Sequence, residues 1–79
     1  MNNDVKELAY FVLQDEYLKR KNIENSEENL KQIISIFPSN WFIKYSLDTR
    51  IKIISIALKN NIDLEEALVI NDENKFVSF

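Results

Sequence analysis

SLDTRIKIISIALKNN, residues 46–61, is the stretch that decides the fold. From Leu47, apolar residues recur at Ile51, Ile54 and Leu58, the spacing of one helical face, while Ile53, Ile56 and Ala57 widen that face on both sides. Asp48, Lys52, Ser55 and Lys59 leave a single narrow polar stripe. Most of the circumference must then be covered by the rest of the chain, which makes this a central core helix over about residues 47–60. Ser46 is placed to cap its start. Asp48 and Lys59 suit the two ends of the helix dipole, and Asn60 or Asn61 can take the left-handed C-terminal position. So many Ile residues would also suit a buried strand through Arg50 to Leu58, but the period is that of a helix.

Upstream, Asn2 or Asn3 can cap a first helix that runs to about Lys19. Val5, Leu8, Ala9 and Val12 form one of its faces, and Tyr10, Leu13 and Tyr17 form a second. So broad an apolar arc predicts packing on more than one neighbour. Lys19 to Lys21, the chain's one run of positive charge, reads first as favourable charge at a helix C-terminus and second as a phosphate-binding patch. A polar connection with Ile23 follows. Asn25 or Ser26 with Glu28 then reads as a capping box that opens a second helix with Leu30, Ile33, Ile34 and Phe37 on one face. Pro38 stops that helix, and Ser39 is expected to cap one or two turns through Trp41, Phe42 and Ile43 to Tyr45.

Downstream, Ile62 to Ala67 is a helix start, with Asp63 and Glu66 as its capping box and Leu64, Ala67 and Leu68 as the buried face of about two turns. The stretch from Asn71 to Phe79 has no clear period. Phe76, Val77 and Phe79 are expected to pack back, either irregularly or as a short strand with Leu68 to Ile70. The expected fold is therefore all-α: one domain over residues 1–79, a compact bundle of four to five short helices around the central helix, with a possible short C-terminal extended segment.

Composition narrows the function. At 79 residues and 46% hydrophobic, the chain can bury one core without disulfides or metal. It contains no Cys, His or Gly, which removes thiolate and imidazole chemistry, zinc fingers, P-loops and dinucleotide fingerprints. The carboxylate pairs Asp15–Glu16, Glu65–Glu66 and Asp72–Glu73 are adjacent in sequence, so on a helix they diverge by about 100° and do not face one another. Glu24, Glu27 and Glu28 lack calcium-loop spacing. No catalytic site, metal or cofactor is expected. Asp4, Lys6 and Glu7 precede any apolar run, and no uncharged stretch approaches about 20 residues, so neither a signal peptide nor a membrane span is expected. A cytoplasmic setting fits. Asn, Ile and Lys make up more than a third of the chain, the bias of an AT-rich bacterial genome or one of its mobile elements.

The net charge of -3 counts against nucleic acid as a partner and for a protein with a basic surface. Candidate partner-binding residues are Glu24, Glu27 and Glu28 before the second helix, Asp63, Glu65, Glu66, Asp72 and Glu73 near the end, and Trp41 and Tyr45 as aromatic anchors. Each carboxylate has a plainer reading as helix-start charge, and the aromatics as core.

The segment Leu47 to Ala67, LDTRIKIISIALKNNIDLEEA, resembles the C-terminal part of small immunity proteins paired with bacterial polymorphic or contact-dependent toxins. The resemblance implies a cytosolic protein that binds and blocks one cognate toxin, often a nuclease; phage inhibitors of host defence proteins fit the same description. Arg50 to Ile70 also resembles a helix-turn-helix, but Glu65 and Glu66 stand where DNA-contacting residues are expected and the turn lacks Gly. A homodimeric scaffold that uses a face of the first helix is a third possibility.

Overall fold

Two parallel helices set the frame. A computed structural model describes the backbone of residues 2–73 and the side chains of residues 4–72; the expectations for Phe76, Val77 and Phe79 lie outside these. Helix α1 spans Asn2–Arg20, α2 Leu30–Ile36 after a 3-10 turn at Glu27–Asn29, α3 Ser39–Lys44, α4 Leu47–Asn60 and α5 Leu64–Glu73. No strand occurs among the described residues. Near the start of α1, Lys6 Nζ lies 3.0 Å from Asp48 Oδ1 at the start of α4; at the other end Arg20 Nη1 donates to the Ala57 carbonyl at 2.9 Å. The two helices therefore run side by side in the same direction. Parallel neighbours need a crossover, and residues 21–46 supply it through α2 and α3.

The central helix is as expected at both ends. Ser46 Oγ accepts from the Thr49 N–H at 3.3 Å, and Asn61 adopts φ 52°, ψ 47° just beyond Asn60. Its core face is centred differently, however. Ile53, Ile54, Ile56 and Ala57 are fully buried, whereas Leu47, Ile51 and Leu58 pack at the margin, because α1 and α5 close on the widened side of the stripe. Burial of each Ile contributes about 1.5–3 kcal/mol.

Two helix ends use the same device. After α1, the Ile23 N–H donates to Leu18 O at 2.9 Å and the Asn22 N–H to Lys19 O at 2.9 Å, with Asn22 at φ 61°. After α4, the Ile62 N–H donates to Ala57 O at 3.0 Å and the Asn61 N–H to Leu58 O at 3.4 Å. Both are Schellman motifs built on Asn-Ile, with Asn taking the left-handed position in a chain that has no Gly. The two ends are tied together: Arg20 spans the carbonyls of Ala57 and Ile62 while its guanidinium lies 4.8 Å from the Tyr17 ring centre. Lys21 meets Asp63, and Lys19 sits 3.9 Å from Glu16, so the basic run is charge at a helix end rather than an open phosphate patch.

Four further expectations are corrected. In α1 the Tyr10, Leu13 and Tyr17 face packs, with Tyr10, Tyr17 and Leu18 buried, but Val5, Leu8, Ala9 and Val12 face outward and no second neighbour among the described residues covers them. The Asn25 or Ser26 capping box does not form. Asn25 Nδ2 donates to Asp15, Ser26 makes no side-chain cap, and the chain enters α2 through the 3-10 turn with Leu30 and Ile34 half exposed. The third concerns the C-terminal side: α5 continues to Glu73, and Leu68 to Ile70 are helical rather than half of a strand pair. At α3 the cap position falls to Pro38 rather than Ser39, while Phe37 leaves the helical region at ψ 74° as the residue before a proline must.

Candidate functional site

Trp41 and Tyr45 are four residues apart on α3, so the helix sets both on one face, their ring centres 5.6 Å apart. Trp41 is only 4% exposed. Its Nε1–H donates to the Tyr10 hydroxyl at 2.7 Å, and Phe37 flanks it at 5.9 Å. Its indole is thus part of the core, while half-buried Tyr45 reaches the surface. Burial pushes the Tyr10 hydroxyl above its ordinary pKa, against the opposing pull of its bond to Trp41 and of nearby Arg50, so it stays a neutral structural group.

On the facing side, α5 presents Leu64 and Leu68, again four residues apart. The Leu64 N–H, a buried donor at a helix start, is taken by the Tyr17 hydroxyl at 2.9 Å. A groove of about 510 Å³ runs between these walls, with Tyr17, Trp41, Tyr45, Leu64 and Leu68 as its apolar lining and Lys21, Lys44, Asp63 and Glu65 around it. Lys44 Nζ lies 5.4 Å from the Tyr45 ring centre. The hydrogen bond from Lys21 holds the Asp63 carboxyl below the usual carboxylate range, and the same bond raises the Lys21 pKa. Asp63 is therefore already matched by a cation, which leaves Glu65 as the groove's unmatched negative charge.

Of the expected partner-binding residues, the structure gathers Trp41, Tyr45, Asp63 and Glu65 at this groove. Glu66 and Asp72 are exposed elsewhere on α5, whose last residue is Glu73. Glu24, Glu27 and Glu28 are exposed around the 3-10 turn and do not line it. Lys44 had no signal of its own in the sequence, while Lys21 stood out only within the basic run and Tyr17 only as part of an apolar face. The matched i, i+4 pairs Trp41–Tyr45 and Leu64–Leu68 were the visible hint of two facing walls. A second residue missed by pattern is Arg50, which lies within the buried arc of α4. It donates from Nε to the Tyr45 carbonyl at 3.2 Å and covers the Tyr10 and Phe42 rings at 4.8 and 5.0 Å, closing the end of α3.

Chemically, the groove offers an apolar slot with a mixed ionic margin, suited to holding a side chain from another molecule. Among the described residues there is no grouping of three carboxylates that could hold a metal ion, and no helix long and apolar enough to cross a membrane. No family model matches the chain, nor does any curated protein or solved structure.

Proposed function

We propose that this domain is a small acidic protein-binding inhibitor, of the immunity or anti-defence type, that blocks a partner protein stoichiometrically in the cytoplasm of a bacterium or a phage-infected cell. One observation carries the reading: the groove brings Tyr45 and Trp41 together with Glu65, a carboxylate that makes no ion pair among the described residues. A side chain with an apolar stem and a cationic head fits both parts, its stem on Tyr45 and Leu68 and its head at Glu65. Exposed Glu66 and Asp72 extend the negative field along α5 and would speed the approach of a basic surface such as that of a nuclease toxin or a defence effector. The helix-turn-helix alternative is weaker. The order α4, turn, α5 is present, but α5 carries Glu65, Glu66, Asp72 and Glu73 and no Lys or Arg, so its charge opposes a phosphate backbone.

The test is co-expression with the adjoining gene, purification of the captured protein, and titration of its activity. Loss of that activity at one equivalent is expected, with Glu65→Lys plus Glu66→Lys slowing association about tenfold while the helical signal and Tm are kept. A partner that keeps full activity at saturation, or an association rate indifferent to the charge reversal, removes the inhibitor reading.

A further inference from the structure

The outward face of α1 leaves several large apolar residues bare. Val5, Leu8 and Val12, at i, i+3 and i+7, are 70%, 67% and 54% exposed, and Phe11 at the margin of the same face is 52% exposed. On α3, Phe42 and Ile43 are also exposed. Single exposed apolar residues are ordinary, but four large ones along one helix surface mark a surface built to be covered. Tyr17 and Lys21, which line the groove, belong to the opposite side and the far end of α1, so this is a separate surface that does not rest on the inhibitor reading.

The charges around the stripe say what covers it. Asp4, Glu7, Asp15 and Glu16 stand three or four residues from Leu8, Phe11 or Val12, on neighbouring turns, and all four are exposed. Lys6 is engaged by Asp48 at 3.0 Å and Lys19 pairs with Glu16 at 3.9 Å, which leaves Asp4, Glu7 and Asp15 without an ion pair among the described residues. A second copy is a poor occupant: antiparallel pairing centred on the stripe brings the acidic start of one α1, Asp4 and Glu7, toward the acidic end of the other, Asp15 and Glu16, and parallel pairing sets each carboxylate against itself. An anionic lipid surface is a poor occupant for the same reason, since interfacial helices carry Lys and Arg beside their apolar face.

We propose that the Val5, Leu8, Phe11 and Val12 face of α1 is a docking surface for a different protein, one that presents an apolar helix flanked by Lys and Arg. Such a helix lays its apolar side along α1 and sets its cations against Asp4, Glu7 and Asp15, burying the stripe while matching its rim.

The experiment uses the full chain and two synthetic amphipathic peptides of about 16 residues with identical apolar stripes, one flanked by Lys and the other by Glu. Binding of the Lys-flanked peptide is expected at least about tenfold tighter than that of the Glu-flanked one, weakening as salt rises. Amide shifts should centre on Val5, Leu8, Phe11 and Val12. Leu8→Ser with Val12→Ser should weaken binding by about tenfold or more with Tm unchanged, since both positions are exposed. Several results would overturn the proposal: a chain that dimerises through α1, equal affinity for the two peptides, shifts confined to the groove, capture by anionic vesicles instead, or no binding by the full chain whether or not removal of residues 74–79 restores it.

Discussion

Helices α1 and α4 lie side by side and about half the residues of each are apolar, yet α4 is wrapped and α1 is half bare. The difference lies in neighbours. α4 has α1 on one flank, α5 on another and α3 across its beginning, so its exposed residues are Asp48, Lys52, Lys59 and Asn60, with Ser55 half-buried. α1 packs its Tyr10, Tyr17 and Leu18 side, and no described element is left for the other. A chain of this length has enough apolar residues for two covered helices but enough mass to cover only one of them. Apolar periodicity thus tells where a helix is sticky and leaves open whether its own domain provides the cover.

The contrast can be broken most severely at α4. Ile54→Asp places an unpaired charge at a fully buried position and should abolish folding, seen as loss of the cooperative thermal transition by circular dichroism. Next is the link between the two helices. Arg20→Ala strips the Ala57 and Ile62 carbonyls of a charged donor and should cost about 2–3 kcal/mol in urea unfolding. Arg20→Lys should recover only part of this, because an ammonium cannot span both acceptors. Smaller again are the two Asn turns: Asn22→Ala and Asn61→Ala each force a Cβ-bearing residue without an amide into the left-handed region, at about 1 kcal/mol. The cost should be greater at Asn61, because the Ile62 carbonyl that holds Arg20 sits in that turn.

The ion pair between Lys21 and Asp63 gives a finer effect, legible in pH. Asp63 has a lowered folded pKa, so its contribution is present above the unfolded Asp value and is lost as pH falls through the folded one. Lys21 has a raised folded pKa, so its contribution is present below the unfolded Lys value and lost as pH rises through the folded one. The stabilisation therefore spans roughly pH 4 to 10. The Tm difference between the protein and Asp63→Asn should be small within that window and vanish in acid. Smallest of all, Leu8→Asp on the bare face should leave Tm almost unmoved, the mirror of Ile54→Asp; a large loss there would show that α1 is covered after all.

What could be read from the residues divides along the same line. The ends of α4 and the stop at Pro38 follow from chemistry within a few residues of each boundary: a Ser hydroxyl, an Asn in the left-handed region, a pyrrolidine ring. The capping box at Asn25 failed because Asp15, ten residues away in sequence, recruited the Asn25 amide instead. The burial of Trp41 against Tyr10 and the meeting of Tyr45 with Leu64 and Leu68 depend on how the crossover lies against the α4–α5 hairpin. No local pattern reports that, so the candidate anchors and acids were visible one by one while their gathering at one groove was not.

The Arg20 clamp also has a consequence for time. Ala57 and Ile62 lie 37 and 42 residues from Arg20, so this contact cannot form until the whole crossover is in place, whereas the α4–α5 hairpin and its Schellman turn close locally. Late closure of the clamp predicts a φ-value near zero for Arg20→Ala in chevron kinetics, and a value near one would overturn it. Loss of the clamp would leave the folding rate nearly unchanged and appear as faster unfolding, making one guanidinium the latch that sets the lifetime of the native domain.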